Sequence, residues 1–174
     1  MNNSEFWKKM HSPPPHHLIF LCAGNICRSP YASMMFEKLI EESPVLKLSD
    51  FNIQSGGFLK QANVILHPYS KQALEEEGVS SIRIQQHLPR TMRKHKDDLL
   101  NATALIVMTE NHRDVLLPSK YRENAILLSE VAEDITLDLP DPALYTDYGK
   151  YHALMDQIKR YLQMTVQQLE IIHK

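Results

Sequence analysis

Within eight residues, Cys22-Ala23-Gly24-Asn25-Ile26-Cys27-Arg28-Ser29 sets a thiol, a glycine, a side-chain amide, a guanidinium and a hydroxyl close together. Placed between a strand and a helix, such a loop turns its N–H groups inward, and the helix N-terminus adds partial positive charge. Gly24 lacks a Cβ and Asn25 tolerates left-handed geometry, so both suit a tight anion-binding nest. Arg28 adds a planar fork that can hold two oxygens of an oxyanion at once. A free thiol titrates near ~8.5, and a helix N-terminus with an adjacent arginine can pull it well below neutrality. Cys22 would then be a thiolate facing a bound oxyanion, the arrangement for nucleophilic attack on phosphorus. The same amides and Arg28 would stabilise charge on the equatorial oxygens. A nucleotide-binding P-loop would need Gly-Lys-Ser/Thr, which the segment lacks. A structural zinc site would need four ligands, and the chain has two cysteines.

The flanking pattern supplies the elements that must hold this loop. Residues 18–22 (LIFLC) form a continuous apolar run, as in a strand buried on both faces. Ser29-Pro30 reads as an N-cap followed by proline in the first turn, and an apolar helical face runs from Met34 to Ile40 before Ser43-Pro44 stops it. A short strand is expected over residues 51–54, and a helix over 68–77 with Gly78 as its stop. Residues 103–108 (TALIVM) predict a second buried strand, 110–117 a helix, and 125–128 a third strand. Tyr151, Leu154, Met155, Ile158, Tyr161, Leu162, Val166 and Leu169 recur at helical spacing in a long C-terminal helix. Alternating strands and helices imply an α/β fold with a parallel sheet covered on both faces. Ligands on such sheets gather at the carboxyl ends of strands, which is where Cys22 falls.

The chain has 174 residues, 43% apolar and 23% charged, the profile of one globular domain. Its formal net charge of −2 gives no general drive toward nucleic acid or an anionic membrane, and neither is expected as a partner. Two cysteines are too few for a disulfide scaffold and suit a reducing compartment, so a cytoplasmic location is expected. No signal peptide or spanning apolar run is evident, so simple export and membrane insertion are not expected, while specialised secretion without a signal peptide stays open. Residues 1–17, with Pro13, Pro14 and Pro15, read as a flexible, solvated N-terminal extension to a domain over 18–174. His11, His16 and His17 are taken as part of that polar tail rather than as metal ligands.

CAGNICRSP resembles the C-x5-R-S signature loop of low-molecular-weight protein tyrosine phosphatases, with Asn25, Ser29 and Pro30 in register. The resemblance runs in order over about residues 18–172. It implies a flavodoxin-like three-layer fold with a four-stranded parallel sheet flanked by helices. It also implies Cys22 as nucleophile, Arg28 as phosphate clamp, and a cradle of amides from Ala23, Gly24, Asn25, Ile26, Cys27 and Ser29. The family carries a general acid in an Asp-Pro dipeptide ahead of its last helix, which Asp141-Pro142 matches; Asp138 is a nearby rival. Ser55 and His87 resemble supporting residues that hydrogen-bond into the signature loop, although His87 could equally be an ordinary buried histidine. In the family the second loop cysteine, here Cys27, can pair reversibly with the nucleophile; the plain alternative is a small buried hydrophobe.

The implied activity is hydrolysis of phosphotyrosine in a protein substrate through a cysteinyl-phosphate intermediate, without cofactor or metal. Ala143-Leu144 follow Asp-Pro where many members have an aromatic or a glycine-rich turn, so Phe58, Tyr145 or Tyr148 would have to supply a pocket wall. Ile26 favours tyrosine, since members acting on phosphoarginine carry threonine there. The basic run Arg90, Arg93, Lys94, His95 and Lys96 reads as a solvated surface. Two rivals are weaker. Arsenate reduction on a similar loop needs further cysteines, and a non-catalytic phosphotyrosine-binding module would not need Cys22, Arg28 and Asp141 together.

Overall fold

The computed structural model describes residues 1–59 and 65–174. Its labelled elements run α1 (Asn3–Met10), β1 (His16–Cys22), α2 (Arg28–Glu42), β2 (Phe51–Gly57), α3 (Pro68–Glu76), α4 (Ser81–Gln85), α5 (Lys96–Asn101), β3 (Ala104–Val107), β4 (Ala125–Leu127), α6 (Leu128–Glu133) and α7 (Tyr148–Ile172). Four parallel strands lie in the order β2-β1-β3-β4. In register, Leu18 sits between Ile53 and Ala104, and Ile106 faces Ile126.

Side chains alternate across a strand, so the apolar runs split into two cores. Leu18, Phe20 and Cys22 of β1 join Ala104 and Ile106 under α2, α6 and α7. Ile19 and Leu21 join Leu105 and Val107 on the other face, beneath Leu99 of α5, Leu117 and Tyr121. This is the three-layer architecture implied above. The chain leaves β1 toward β2 and later crosses back to β3, so the carboxyl ends of β1 and β3 flank a crevice at a topological switch point. Cys22 ends β1 at that crevice.

Several expectations need correction. The N-terminal residues are not wholly a solvated tail. Asn2 caps α1 with its side chain, and the helix buries Phe6 and Met10 completely. Asn3 Nδ2 donates to Glu130 O at 2.6 Å, and Lys9 Nζ donates to Thr103 O at 3.1 Å and Asn124 Oδ1 at 2.7 Å. Burying two large apolar side chains is worth about 1.5–3 kcal/mol each, enough to dock a short helix that would not persist alone. His16 is no tail residue either: it opens β1, buried against the rings of Phe51 and His173. α2 begins at Arg28, one residue before the expected cap, because the Ser29 hydroxyl is engaged inside the loop. Residues 112–116 wind as a single π turn. β2 runs on to Gly57, past the expected end at 54. Gly78, at φ 73°, does end the α3 region, in a backbone conformation that glycine adopts without strain. Among the described residues, no helix is long and apolar enough to cross a membrane.

Candidate active site

The loop after β1 is built around Asn25. Its backbone lies in the left-handed region, at φ 56°, and the residue is fully buried. Its side-chain amide donates to Ser29 Oγ at 3.0 Å and Ser55 Oγ at 2.9 Å, and its Oδ1 accepts from Arg90 N at 3.0 Å. Its carbonyl meets His87 Nε2 at 3.0 Å. Facing a carbonyl, that nitrogen must carry the proton. Burial lowers the His87 pKa from its ordinary value, which favours the neutral ring. Ser55, at the end of β2, and His87, beyond α4, thus both reach the loop through one residue.

Ser29 links this brace to the thiol. Its Oγ lies 3.0 Å from Cys22 Sγ and 3.2 Å from Gly56 O, while accepting from Asn25. The hydroxyl has a single proton, free to turn toward sulfur when sulfur is anionic. Both cysteines are free thiols and buried. Cys27 faces the core beside Tyr151, and burial pushes its thiol up to about 12.

Arg28 is buried in the first turn of α2. Its Nη1 donates to Leu139 O at 2.8 Å, and its Nη2 stands 3.1 Å from Asp141 Oδ2. Asp141 is half exposed and its Oδ1 accepts from Ala143 N at 3.1 Å, closing a turn that starts at Pro142. The late segment is hung on β3, since Leu139 N donates to Met108 O at 2.9 Å. A carboxylate more than a hundred residues from the loop is thereby brought to its arginine. Asp138 is engaged elsewhere, accepting from Glu110 N at 2.7 Å.

A family model described as low molecular weight phosphotyrosine protein phosphatase matches residues 17–172. The chain belongs to this family. It is therefore a phosphatase. A protein-arginine-phosphatase of Bacillus subtilis is 24% identical over 155 residues, covering 88% of this chain and 96% of that one. The low molecular weight protein-tyrosine-phosphatase PtpB of Staphylococcus epidermidis is 28% identical over 149 residues, covering 82% and 96%. Among solved structures, a mutant of YwlE from Bacillus subtilis superposes with a TM-score of 0.76 at 24% identity, over 88% of this chain and 98% of that one. A low molecular weight protein tyrosine phosphatase from T. tengcongensis gives a TM-score of 0.74 at 20% identity, over 88% and 99%. At these identities the superpositions speak for the fold.

Several residues of this phosphatase carry weight that sequence reading did not assign. Gly57 is one: a Cβ there would lie 2.9 Å from Ala23 O, Asn25 N and the Gly24 carbonyl carbon. Only glycine lets β2 approach the loop so closely. Arg90 is the second, and it departs from the solvated run to which it was assigned. Its Nε donates to Ser55 O at 2.8 Å, and its carbonyl accepts from Gly57 N at 2.9 Å. The proximity of Arg90 to His87 in HLPR was the available signal. His112 is the third. It is buried against the Phe58 ring, and burial with the nearby Arg28 charge lowers its pKa to about 4. Nothing in its sequence context marked it. Leu139 contributes only a carbonyl, which no side-chain motif can announce.

Proposed function

We propose that the protein hydrolyses phosphotyrosine in protein substrates through a cysteinyl-phosphate intermediate. The observation that carries this reading is the meeting of Arg28 with Asp141 at 3.1 Å, in the loop that also holds the Cys22 thiol 3.0 Å from Ser29. Arg28 Nε is buried without a hydrogen-bond partner among the described residues, a donor suited to a phosphate oxygen. In the first step Cys22 sulfur forms a bond to phosphorus as the phosphorus–oxygen ester bond breaks. Asp141 gives its proton to the departing phenolic oxygen. In the second step the Asp141 carboxylate takes a proton from water, whose oxygen attacks phosphorus. The sulfur–phosphorus bond breaks, releasing inorganic phosphate and the thiolate, to which Ser29 can donate. Loop amides from Ala23 to Ser29 and the Arg28 fork hold the equatorial oxygens throughout.

Ile26 and the aromatic cluster beside it support tyrosine over arginine. Ile26 offers no acceptor for a guanidinium, whose N–H groups must be satisfied once out of water. His67 donates its backbone N–H to Ile26 O at 2.8 Å and stacks on Tyr151, with the centroids 4.9 Å apart. Tyr69 and Tyr148 extend that aromatic cluster. Oxidation of Cys22 by a peroxide to a sulfenic acid would allow Cys27 to close a disulfide with loss of water, a protective reaction slowed by the raised Cys27 pKa. The chemistry calls on no cofactor. A cytoplasmic phosphoprotein is the expected substrate.

The test is hydrolysis of matched phosphotyrosine and phosphoarginine peptides by wild type and Cys22→Ser. The expected result is a kcat/KM at least about tenfold higher on phosphotyrosine, and a loss of about 10⁴-fold or more in Cys22→Ser. A Cys22→Ser variant with full activity would sink the mechanism, and a preference for phosphoarginine would sink the substrate assignment.

A further inference from the structure

On the sheet face away from α2 and α7, a cavity of about 550 Å³ opens between α5 and the segment after β3. Phe58, Leu99 and Leu117 are among its apolar walls. Arg93, Lys96 and Lys120 stand around it, all three exposed. None of them pairs with a carboxylate among the described residues, and no described acidic residue lines the cavity. That is a local excess of cations on a chain whose net charge is −2. Lys120 is held there, its Nζ 4.8 Å from the centroid of the Tyr121 ring. Neither Cys22, Arg28 nor Asp141 lines this space, so it is separate from the catalytic crevice.

An apolar cleft exposes surface at a cost, and cations at its edge with no carboxylate partner among the described residues add a charge preference to the apolar one. We propose that this cavity binds a small amphipathic anion, an aliphatic chain ending in a carboxylate or phosphate. The chain would lie against Phe58, Leu99 and Leu117, and the head would meet Arg93, Lys96 and Lys120. The volume falls within the range of small-molecule sites, and an apolar lining with a few convergent charged groups is their usual make-up. The lysine and arginine stems extend the apolar wall while their heads stay in water. The wall also touches the catalytic loop. Phe58 N donates to Ala23 O at 2.9 Å and lies 3.3 Å from Cys22 O, so an occupant would press on the residue that ties β2 to that loop.

Decanoate, titrated calorimetrically below its micelle-forming concentration into the full chain, is the direct probe. The expected result is saturable binding of one decanoate, about tenfold weaker binding of decanol, and about tenfold weaker decanoate binding to Arg93→Glu/Lys96→Glu. Both substitutions are at exposed positions outside the catalytic machinery, and an unchanged melting temperature would show that the variant folds. Three results would overturn the proposal: no saturable binding of decanoate, equal binding of decanol, or unchanged affinity in the double variant. Association with phosphatidylglycerol vesicles without decanoate binding would also overturn it, in favour of a membrane surface. None of these outcomes depends on whether the phosphatase mechanism is right.

Discussion

The loop from Cys22 to Ser29 and the segment from Leu137 to Asp147 meet at one ion pair, yet they are held in opposite ways. In the loop, Asn25, Cys27, Arg28 and Ser29 are all buried, and Asn25 alone joins Ser29, Ser55, His87 and Arg90. In the late segment most residues are exposed, and Leu139 and Pro142 are its buried pegs. The difference matches the demands of the proposed reaction. Binding a phosphoryl group in a trigonal transition state tolerates little displacement of the donors. Proton transfer to leaving groups of varied shape tolerates more, and the carboxylate must leave the guanidinium when phosphate arrives.

Arg28→Lys should break the rigid side most severely. A single ammonium cannot reproduce the fork that meets Leu139 and Asp141, and kcat/KM on para-nitrophenyl phosphate should fall about 10³-fold. Asp141→Ala acts on the exposed side and should cost about 10²-fold on phenyl phosphate but far less on para-nitrophenyl phosphate. The second leaving group needs little protonation. An equal loss on both esters would mean that Asp141 positions Arg28 rather than moving a proton. Gly57→Ala tests the loop's support without touching its chemistry. Its Cβ would strike three loop backbone atoms, and the urea midpoint should fall by an amount equivalent to about 2 kcal/mol, with a lower kcat.

The last effect is a pH dependence of stability set beside the loop, comparable in size to that of Gly57→Ala. The folded pKa of His112 lies near 4 against an ordinary 6.5, and burial also lowers that of His87. Between these values the unfolded chain binds more protons, so stability falls as pH drops from about 6.5 toward 4. For His112 the loss is roughly 2–3 kcal/mol, which thermal melts would register. The charges facing His112 are Arg28, which lowers its pKa, and Asp141, which raises it. His112→Phe should flatten the profile and keep the contact with Phe58.

What could be read in advance follows the same division. Residues 18–22 and 103–108 announced their strands because a strand buried on both faces has no choice but to be apolar throughout. The loop was legible because Cys22, Asn25, Arg28 and Ser29 make their contacts through their own side chains. Leu139 and Gly57 were not, since one acts through a carbonyl and the other through an atom it lacks. α1 escaped for a different reason. Its cue, Asn2 with Glu5 three residues on, is short, and the surface that orders the helix belongs to α6 and to Asn124, just before β4. Pro13 to Pro15 lie exposed between α1 and β1, but the helix that precedes them is docked on the core.

The place of α1 separates two boundaries that are easily equated. Similarity to the family begins at residue 17, but Phe6 and Met10 lie fully inside the core. Trimming the chain to the residues that match the family would strip an apolar plug from its interior. The segment that matches the family and the segment that builds the core are therefore different lengths of the same polypeptide.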